Sequence, residues 1–434
     1  TAFLMVTCAR PLLLVFASVV FPLKVNSLPT LRLLAKNRNS TGKIAEQMAA
    51  LARTCGWETY IVHGPRYVNK SDMHTLQTVT SLGEKLHAVK SMLFDAHGLG
   101  STGATKRIIR EIARINPTVI HLHNIHGYYL NYKVLFEYLR IIDVPIVWTL
   151  HDCWAITGHC AFFDSIDCER WKTECYVCPL RNDYPKSIIL DRSRQNYNLK
   201  KRLFTTVKNM TIVPVSQWLA DVVEDSYLSK YSCKVIHNGI DLSIFSPQES
   251  NLRMKLGVND KVVVLGVASI WHQRKGLDDF VRLAEKLPDS YVIILIGVSQ
   301  SLKENLPHNM IAVTRTESQK ELAEYYSMAD VYVNPTYSDN FPTTNLEALA
   351  CGTPIVTYKT GGSPEAVTEN TGLVVEKGNF EELVSAIEKI KTKGKAHYSD
   401  ACRQRAVEHY NKDDRYQDYI NLYNELLHEK SCSR

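Results

Sequence analysis

Acidic residues are missing from the first 45 positions of this 434-residue chain, where Arg10, Lys24, Arg32, Lys36, Arg38 and Lys43 stand unopposed. Those six cations account for the whole formal charge of +6, because the other 45 lysines and arginines are matched by 45 aspartates and glutamates. A surface that tracks nucleic-acid phosphates needs basic residues spread over a domain, so nucleic acid is not the expected partner, whereas an anionic membrane surface is compatible with a basic start. A bilayer-spanning stretch is missing as well: the apolar run Pro11 to Leu23 has 13 residues, against about 20 for a transmembrane helix. No clear small-x-small cleavage pattern follows it. Residues 1–23 therefore read as an anomalous apolar segment, either a non-native start or an added membrane-contacting piece. Repeats and low-complexity tracts are absent. Cysteine is dilute, eleven in all, which excludes a small disulfide scaffold.

What is present is the composition of an ordinary globular protein, 45% hydrophobic and 22% charged, with the mass for two cores. From Ser40 onward helical and strand patterns alternate. Residues 40–56 place Ser40 and Thr41 as caps before Ile44, Met48 and Leu51 at helical spacing, with Gly56 as the stop. A strand (TYIVHG), a helix ended by Pro117, a strand (TVIHLHN), a helix (YKVLFEYLRIID) and strands PIVWTLHD and MTIVPVS follow. The alternation restarts after Lys234 to Pro247 with KVVVLGVAS, YVIILIGV, MIAVTRT, VYVNPT and PIVTY as strands, and ends on an amphipathic helix expected over roughly Ala401 to Leu427. Such alternation implies an α/β fold with two Rossmann-like, doubly wound parallel-sheet domains facing a cleft.

The segment Ser338 to Val367 carries the most chemistry. Asp339 and Glu347, with seven residues between them, flank the start of a helix that follows the strand Val331 to Thr336. Thr343, Thr344 and Asn345 fall where first-turn N–H groups are free, a place that attracts phosphate. Carboxylates repel phosphate and accept hydrogen bonds from hydroxyls, so the set suits a nucleoside diphosphate sugar. Here the chain resembles glycosyltransferase family 4, retaining enzymes of the GT-B fold, whose signature is two acidic residues with this spacing. Asp339 stands where the family usually has Glu and is one methylene shorter. The resemblance runs from about Ser40 to the C-terminus and includes PVSQWLAD (Pro214 to Asp221) and TGGSPEAV (Thr360 to Val367).

The resemblance implies a first, acceptor domain over 24–235 with a Cys-rich loop at 153–180, a donor domain over 236–409, and a final helix, about 410–434, packing back on the first domain. It implies donor contacts from Gly42, Arg274, Lys275, Thr343, Thr344, Asn345, Glu347 and Gly362, with Gly361 and Glu365 nearby. Lys275 with Gly276 matches the family's Lys-Gly, and a cation there neutralises the leaving diphosphate. The family usually has an arginine five or six residues earlier, where this chain has Ser269 or Ile270, and Arg274 is the candidate to replace it. The second histidine of HLH, His123, takes the family's functional histidine position, while His121 reads as core. Asp152 has two readings, a partner for the acceptor hydroxyl or a loop cap. Asp339 and these two form the expected catalytic set. The implied reaction moves a hexose to a glycan or lipid-linked acceptor in surface-polysaccharide synthesis, in the cytoplasm or at the inner face of the plasma membrane, without a catalytic metal. Two alternatives share the fold: a nucleotide-sugar epimerase and a non-catalytic glycan-binding scaffold. Cys160, Cys168, Cys175 and Cys178, the last two as CxxC, fit either a structural zinc loop or free thiols.

Overall fold

The structure, a computed structural model, describes residues 12–16, 40–65, 74–304, 306–307 and 309–432. Its first sheet contains β1 (Leu12–Phe16), β2 (Glu58–His63), β3 (His74–Gln77), β4 (Val119–Leu122), β5 (Ile146–Leu150), β6 (Met210–Pro214) and β7 (Ser232–Cys233), ordered β3-β2-β1-β4-β5-β6-β7. The second contains β8 (Val262–Val267), β9 (Tyr291–Ile296), β10 (Met310–Val313), β11 (Val331–Asn334), β12 (Ile355–Tyr358) and β13 (Gly372–Val375), ordered β10-β9-β8-β11-β12-β13. Every strand pairing is parallel. Central strands such as β5 and β9 are apolar runs buried along their full length, the pattern of a sheet covered on both faces.

Helices cover the sheets through one apolar stripe. In the helix Thr102–Ile115, Ile108, Ile112 and Ile115 are buried at helical spacing. Asn116 then turns left-handed at φ 53° and its N–H closes on the Ile112 carbonyl, so the helix stops one residue before Pro117.

Two expectations change. The apolar segment at the start is not separate from the first domain, because β1 pairs with β2 on one side and β4 on the other. Five apolar residues form a central parallel strand as readily as a signal-like core, and periodicity cannot tell them apart. The apolar segments VVFPLKV (19–25) and LRLLA (31–35), which in sequence are also candidates for the first strand, lie outside the described residues, as do all six N-terminal cations except Lys43.

The final helix is two helices, Ala396–His409 and Lys412–Cys432. Between them the backbone pairs with Ile240: Ile240 N–H donates to Tyr410 O at 2.7 Å and Lys412 N–H to Ile240 O at 3.0 Å, which takes hydrogen bonds a continuous helix would need. A Cβ on Gly239 would lie 2.3 Å from Lys412 Cα, so the Asn238–Gly239 turn requires glycine for this contact. The second helix returns to the first domain, where Tyr416, Tyr419 and Tyr423 join a buried cluster with Ile44 and Met48.

Candidate active site

On the second-domain wall, β8 leads into a short turn, Gln273–Lys275, that presents two cations. Gly276 follows at φ 73°, and a Cβ there would lie 2.2 Å from the Pro335 carbonyl, so glycine is needed to bring this turn against the end of β11. The Lys275 ammonium donates to Asp339 Oδ2 in an ion pair. Arg274 donates to the Ser338 carbonyl at 2.5 Å and its guanidinium lies 4.0 Å from the centre of the Phe162 ring. The helix Thr343–Ala350 begins beside them with Pro342 at its cap and no side chain satisfying its first turn. Thr343 and Thr344 are partly exposed there. The cations, Asp339 and this helix start thus share one loop cluster.

Two expected donor contacts, Asn345 and Gly362, and Glu365, expected near the donor, have other work. Asn345 is buried, accepts from Asn334 at 2.8 Å and donates to Ser363, and its N–H turns back to Pro342 O; it ties β11 to the following loop and is not available to a ligand. Gly362 matters for protein packing: a Cβ would lie 2.1 Å from Asn340 O and 2.6 Å from Ser216 Cβ, across the domain boundary. Glu365 accepts from the N–H groups of Gln217 and Trp218 at 2.8 and 2.7 Å, capping the helix Gln217–Glu224 of the other domain. Glu347 is partly buried and accepts from Tyr326 OH at 2.8 Å. Burial raises its carboxyl to about 7, against the Tyr326 hydrogen bond and the charge of Lys43. Lys43 follows Gly42 in the first turn of the helix Ser40–Thr54 and donates to Gln319 of the second domain, so that helix start also faces the cleft.

On the first-domain wall, β4 and β5 end in histidines. His121 is core, held by Tyr423 OH and Thr149 Oγ1 at 2.7 Å each. His123 is buried, shares a 2.9 Å hydrogen bond between its Nδ1 and His151 Nε2, and has no protein partner at Nε2. Burial and the neighbouring histidines hold His123 well below the ordinary histidine range, and burial takes His151 down to about 4, so both are neutral at pH 7. The His151 carbonyl accepts from Asn340 at 2.7 Å, which joins this wall to the residue after Asp339. Asp152 serves as a cap, accepting from Trp154 N–H at 2.9 Å, and its other oxygen meets His126 Nε2 at 2.8 Å. Burial opposes its charge, yet His126 and the Trp154 N–H hold its carboxyl below the ordinary value. With both oxygens engaged, Asp152 orients His126 within its own domain.

The Cys-rich loop reaches across the cleft. Asp164 Oδ1 accepts from the Ser338 hydroxyl, and Lys377 donates to Asp164 O at 3.1 Å and Asp167 Oδ1 at 2.6 Å. Asp164 Oδ2 is buried without a hydrogen-bond partner, and burial with the nearby Asp339 charge raises this carboxyl to about 6. Sequence reasoning missed Asp164, since no local pattern links it to Ser338. Interaction with Cys178 and burial push the Cys160 thiol up, while the same neighbour lowers Cys178 to about 7. Among the described residues no three His, Cys, Asp or Glu side chains form a set that could hold a metal ion.

Away from the donor signature, a cavity of about 650 Å³ opens in the first domain between the starts of helices Ser81–Phe94 and Thr102–Ile115, with His87, Lys90, Ser101 and Arg107 in its wall. No described helix is long and apolar enough to cross a membrane.

Comparison with known proteins agrees with this plan. Residues 44–244 match the model described as Glycosyltransferase Family 4, and residues 248–409 the model described as Glycosyl transferases group 1. WcaC of Escherichia coli K12, assigned to colanic acid biosynthesis as a glycosyl transferase, is 26% identical over 347 residues, covering 77% of this chain and 82% of that protein. A D-inositol 3-phosphate glycosyltransferase of Mycobacterium sp. strain JLS is 31% identical over 189 residues, 40% of this chain and 42% of that protein. Among solved structures, sucrose-phosphate synthase of Thermosynechococcus elongatus superposes with a TM-score of 0.68 at 18% identity, covering 92% and 96% of the two chains. Anabaena HepE, solved with UDP and glucose, gives 0.61 at 15% identity, covering 90% and 98%. With two matched models meeting at the boundary between two parallel-sheet domains, the chain is a glycosyltransferase and belongs to glycosyltransferase family 4, with the GT-B fold.

Proposed function

We propose that this enzyme is a retaining hexosyltransferase that uses a nucleoside diphosphate sugar and extends a glycan or lipid-linked glycan of a cell-surface polysaccharide, working in the cytoplasm at the inner face of the plasma membrane. The observation that carries this reading is the Lys275–Asp339 pair beside the uncapped start of Thr343–Ala350. A diphosphate arriving there meets Lys275, Arg274 and free backbone N–H groups, which stabilise charge as it develops on the leaving group. Asp339, released from Lys275 by the incoming phosphate, is then available to sugar hydroxyls. Leaving phosphate oxygen takes the acceptor's proton on the face of attack. His123 is neutral and offers Nε2 to the transferred sugar from the opposite wall. The WcaC likeness supports the polysaccharide role, and the HepE complex supports a nucleotide-sugar donor.

A thermal-shift panel of UDP-, GDP- and dTDP-hexoses tests the reading, because a ligand bound only by the folded state raises the melting temperature by mass action. One donor class should stabilise the protein, and no stabilisation by any would count against it. A structural zinc in the Cys-rich loop belongs to the same proposal: metal would draw Cys160, Cys168, Cys175 and Cys178 into a closed set and brace the loop that carries Asp164. Metal analysis of purified protein should find about one zinc per chain, and a metal-free, fully active preparation would reject it.

A further inference from the structure

The helix Ser81–Phe94 of the first domain turns an apolar stripe outward. Leu82 is 66% exposed, Leu86 62%, Val89 47% and Phe94 47%, and the first three recur at helical spacing on one face. Its C-terminal end is extended by a strap, because Ile188 N–H donates to Met92 O at 2.7 Å and Leu190 N–H to Leu93 O at 3.3 Å. That strap exposes three more apolar side chains, Ile188, Ile189 and Leu190, the middle one at 59%. A water-facing surface seldom leaves such residues contiguous without a partner.

The charges select the partner. Lys85, Lys90 and Lys186 are exposed around the stripe, while Glu84, the one acidic residue of the helix, is buried. Asp183 is the exposed acidic residue on the strap's approach. Apolar side chains ringed by lysines suit an interface that is greasy within and negative at its surface, which describes an anionic bilayer better than a second copy of a lysine-ringed face. The cavity between this helix and Thr102–Ile115 has Leu86 and Lys90 of the same helix in its wall, so it opens beside the stripe.

We infer that the helix Ser81–Phe94 and the strap Ile188–Leu190 form a docking surface for an anionic lipid bilayer, seating the acceptor domain on the membrane with its cavity beside the lipid headgroups. The inference rests on the proposed use of a lipid-linked acceptor and names the surface that would bring the enzyme to it. Leu82, Leu86, Val89 and Ile189 would enter the headgroup boundary, and the lysines would face lipid phosphates.

The test is co-sedimentation of the full chain with vesicles of phosphatidylcholine alone or with phosphatidylglycerol added, using wild type, the double variant Leu82→Glu/Val89→Glu and the double variant Lys85→Glu/Lys186→Glu. None of these residues lines the cavity or the donor site. Wild type should bind the anionic vesicles and not the neutral ones. The apolar variant should bind at least about tenfold more weakly, and each lysine reversal should cost about fivefold or more. Melting temperature and stabilisation by the wild-type enzyme's preferred nucleotide sugar should be unchanged in both. Equal binding of wild type and variants, equal binding to neutral vesicles, or no vesicle binding at all would overturn the inference. So would a dimer of wild type that becomes monomeric in the apolar variant without any vesicle effect, since a second copy would then be the occupant. A donor-induced thermal shift without vesicle binding would overturn the docking surface alone, whereas vesicle binding without any donor-induced shift would count against the proposed function alone.

Discussion

The two walls of the cleft differ in chemistry. The second-domain wall is charged and preorganised: Lys275, Arg274, Asp339 and the open helix start lie within one loop cluster, and the cations are already oriented by Asp339 and the Ser338 carbonyl. The first-domain wall carries little net charge at its centre. His121 and His123 are buried, His151 is half-buried, and all three are neutral at pH 7, linked by hydrogen bonds and ring contacts rather than by ion pairs. A charged wall can hold a diphosphate before the cleft closes. In the proposed function a neutral histidine wall would add hydrogen bonds to a sugar without strengthening the hold on phosphate, so its effect would belong to transfer. The Asn340–His151 bond and the Glu365 cap on the helix Gln217–Glu224 join the two walls in this conformation.

The strongest way to break the charged wall is Lys275→Ala. Turnover should fall by about 10²–10³, while the exposed part of its ion pair limits the stability loss to about 1 kcal/mol or less. Parallel rate and melting measurements check this, and a large loss of melting temperature with proportional loss of rate would make the lysine structural. Next comes Glu347→Gln, which keeps an acceptor for Tyr326 but removes the charge. Affinity for the nucleoside diphosphate should fall by about tenfold, read by titration, and unchanged affinity would take Glu347 out of the donor site. Glu365→Ala should cost about 1–2 kcal/mol through the lost cap, read as a lower denaturant midpoint.

The pH response sharpens the neutral wall and is the smallest effect. His123 and His151 are depressed in the fold, His151 to about 4 from an ordinary 6.5. Between those values the unfolded chain binds more protons than the folded one, so the stability from these buried rings is complete above about 6.5 and drains as pH falls toward 4. Glu347, raised to about 7 from 4.5, has the opposite sign: its contribution is complete below about 4.5 and fades as pH rises through 7. Melting temperature should therefore fall on acidification, and more steeply in Glu347→Gln. A flat profile in that variant would mean the histidines are not buried as neutral bases.

The second domain was the more legible in sequence. VYVNPT and TTNLEALA fix a strand and helix by local pattern, and Gly276 marks the tight turn that holds Lys275. What sequence missed depends on residues far apart in the chain. Glu365 caps a helix nearly 150 positions earlier, Asp164 meets Ser338 across 174, and neither has a local signal. Asn345 looks like a first-turn phosphate ligand until Asn334 and Ser363 are seen to consume its amide. The strand Leu12–Phe16 was hidden because a central parallel strand and a short signal core are written alike. The final helix looked continuous because its break comes from Ile240 pairing, not from glycine or proline.

The central claim, that the histidine wall acts on transfer and not on donor capture, is tested most directly by His123→Ala. Melting temperature, nucleoside diphosphate binding and initial transfer rate are to be measured on one preparation and corrected for the folded fraction. The account predicts binding within about twofold of wild type and transfer lowered by one to three orders of magnitude, about the effect of one lost transition-state contact. A variant whose folded fraction transfers sugar at the wild-type rate would contradict it.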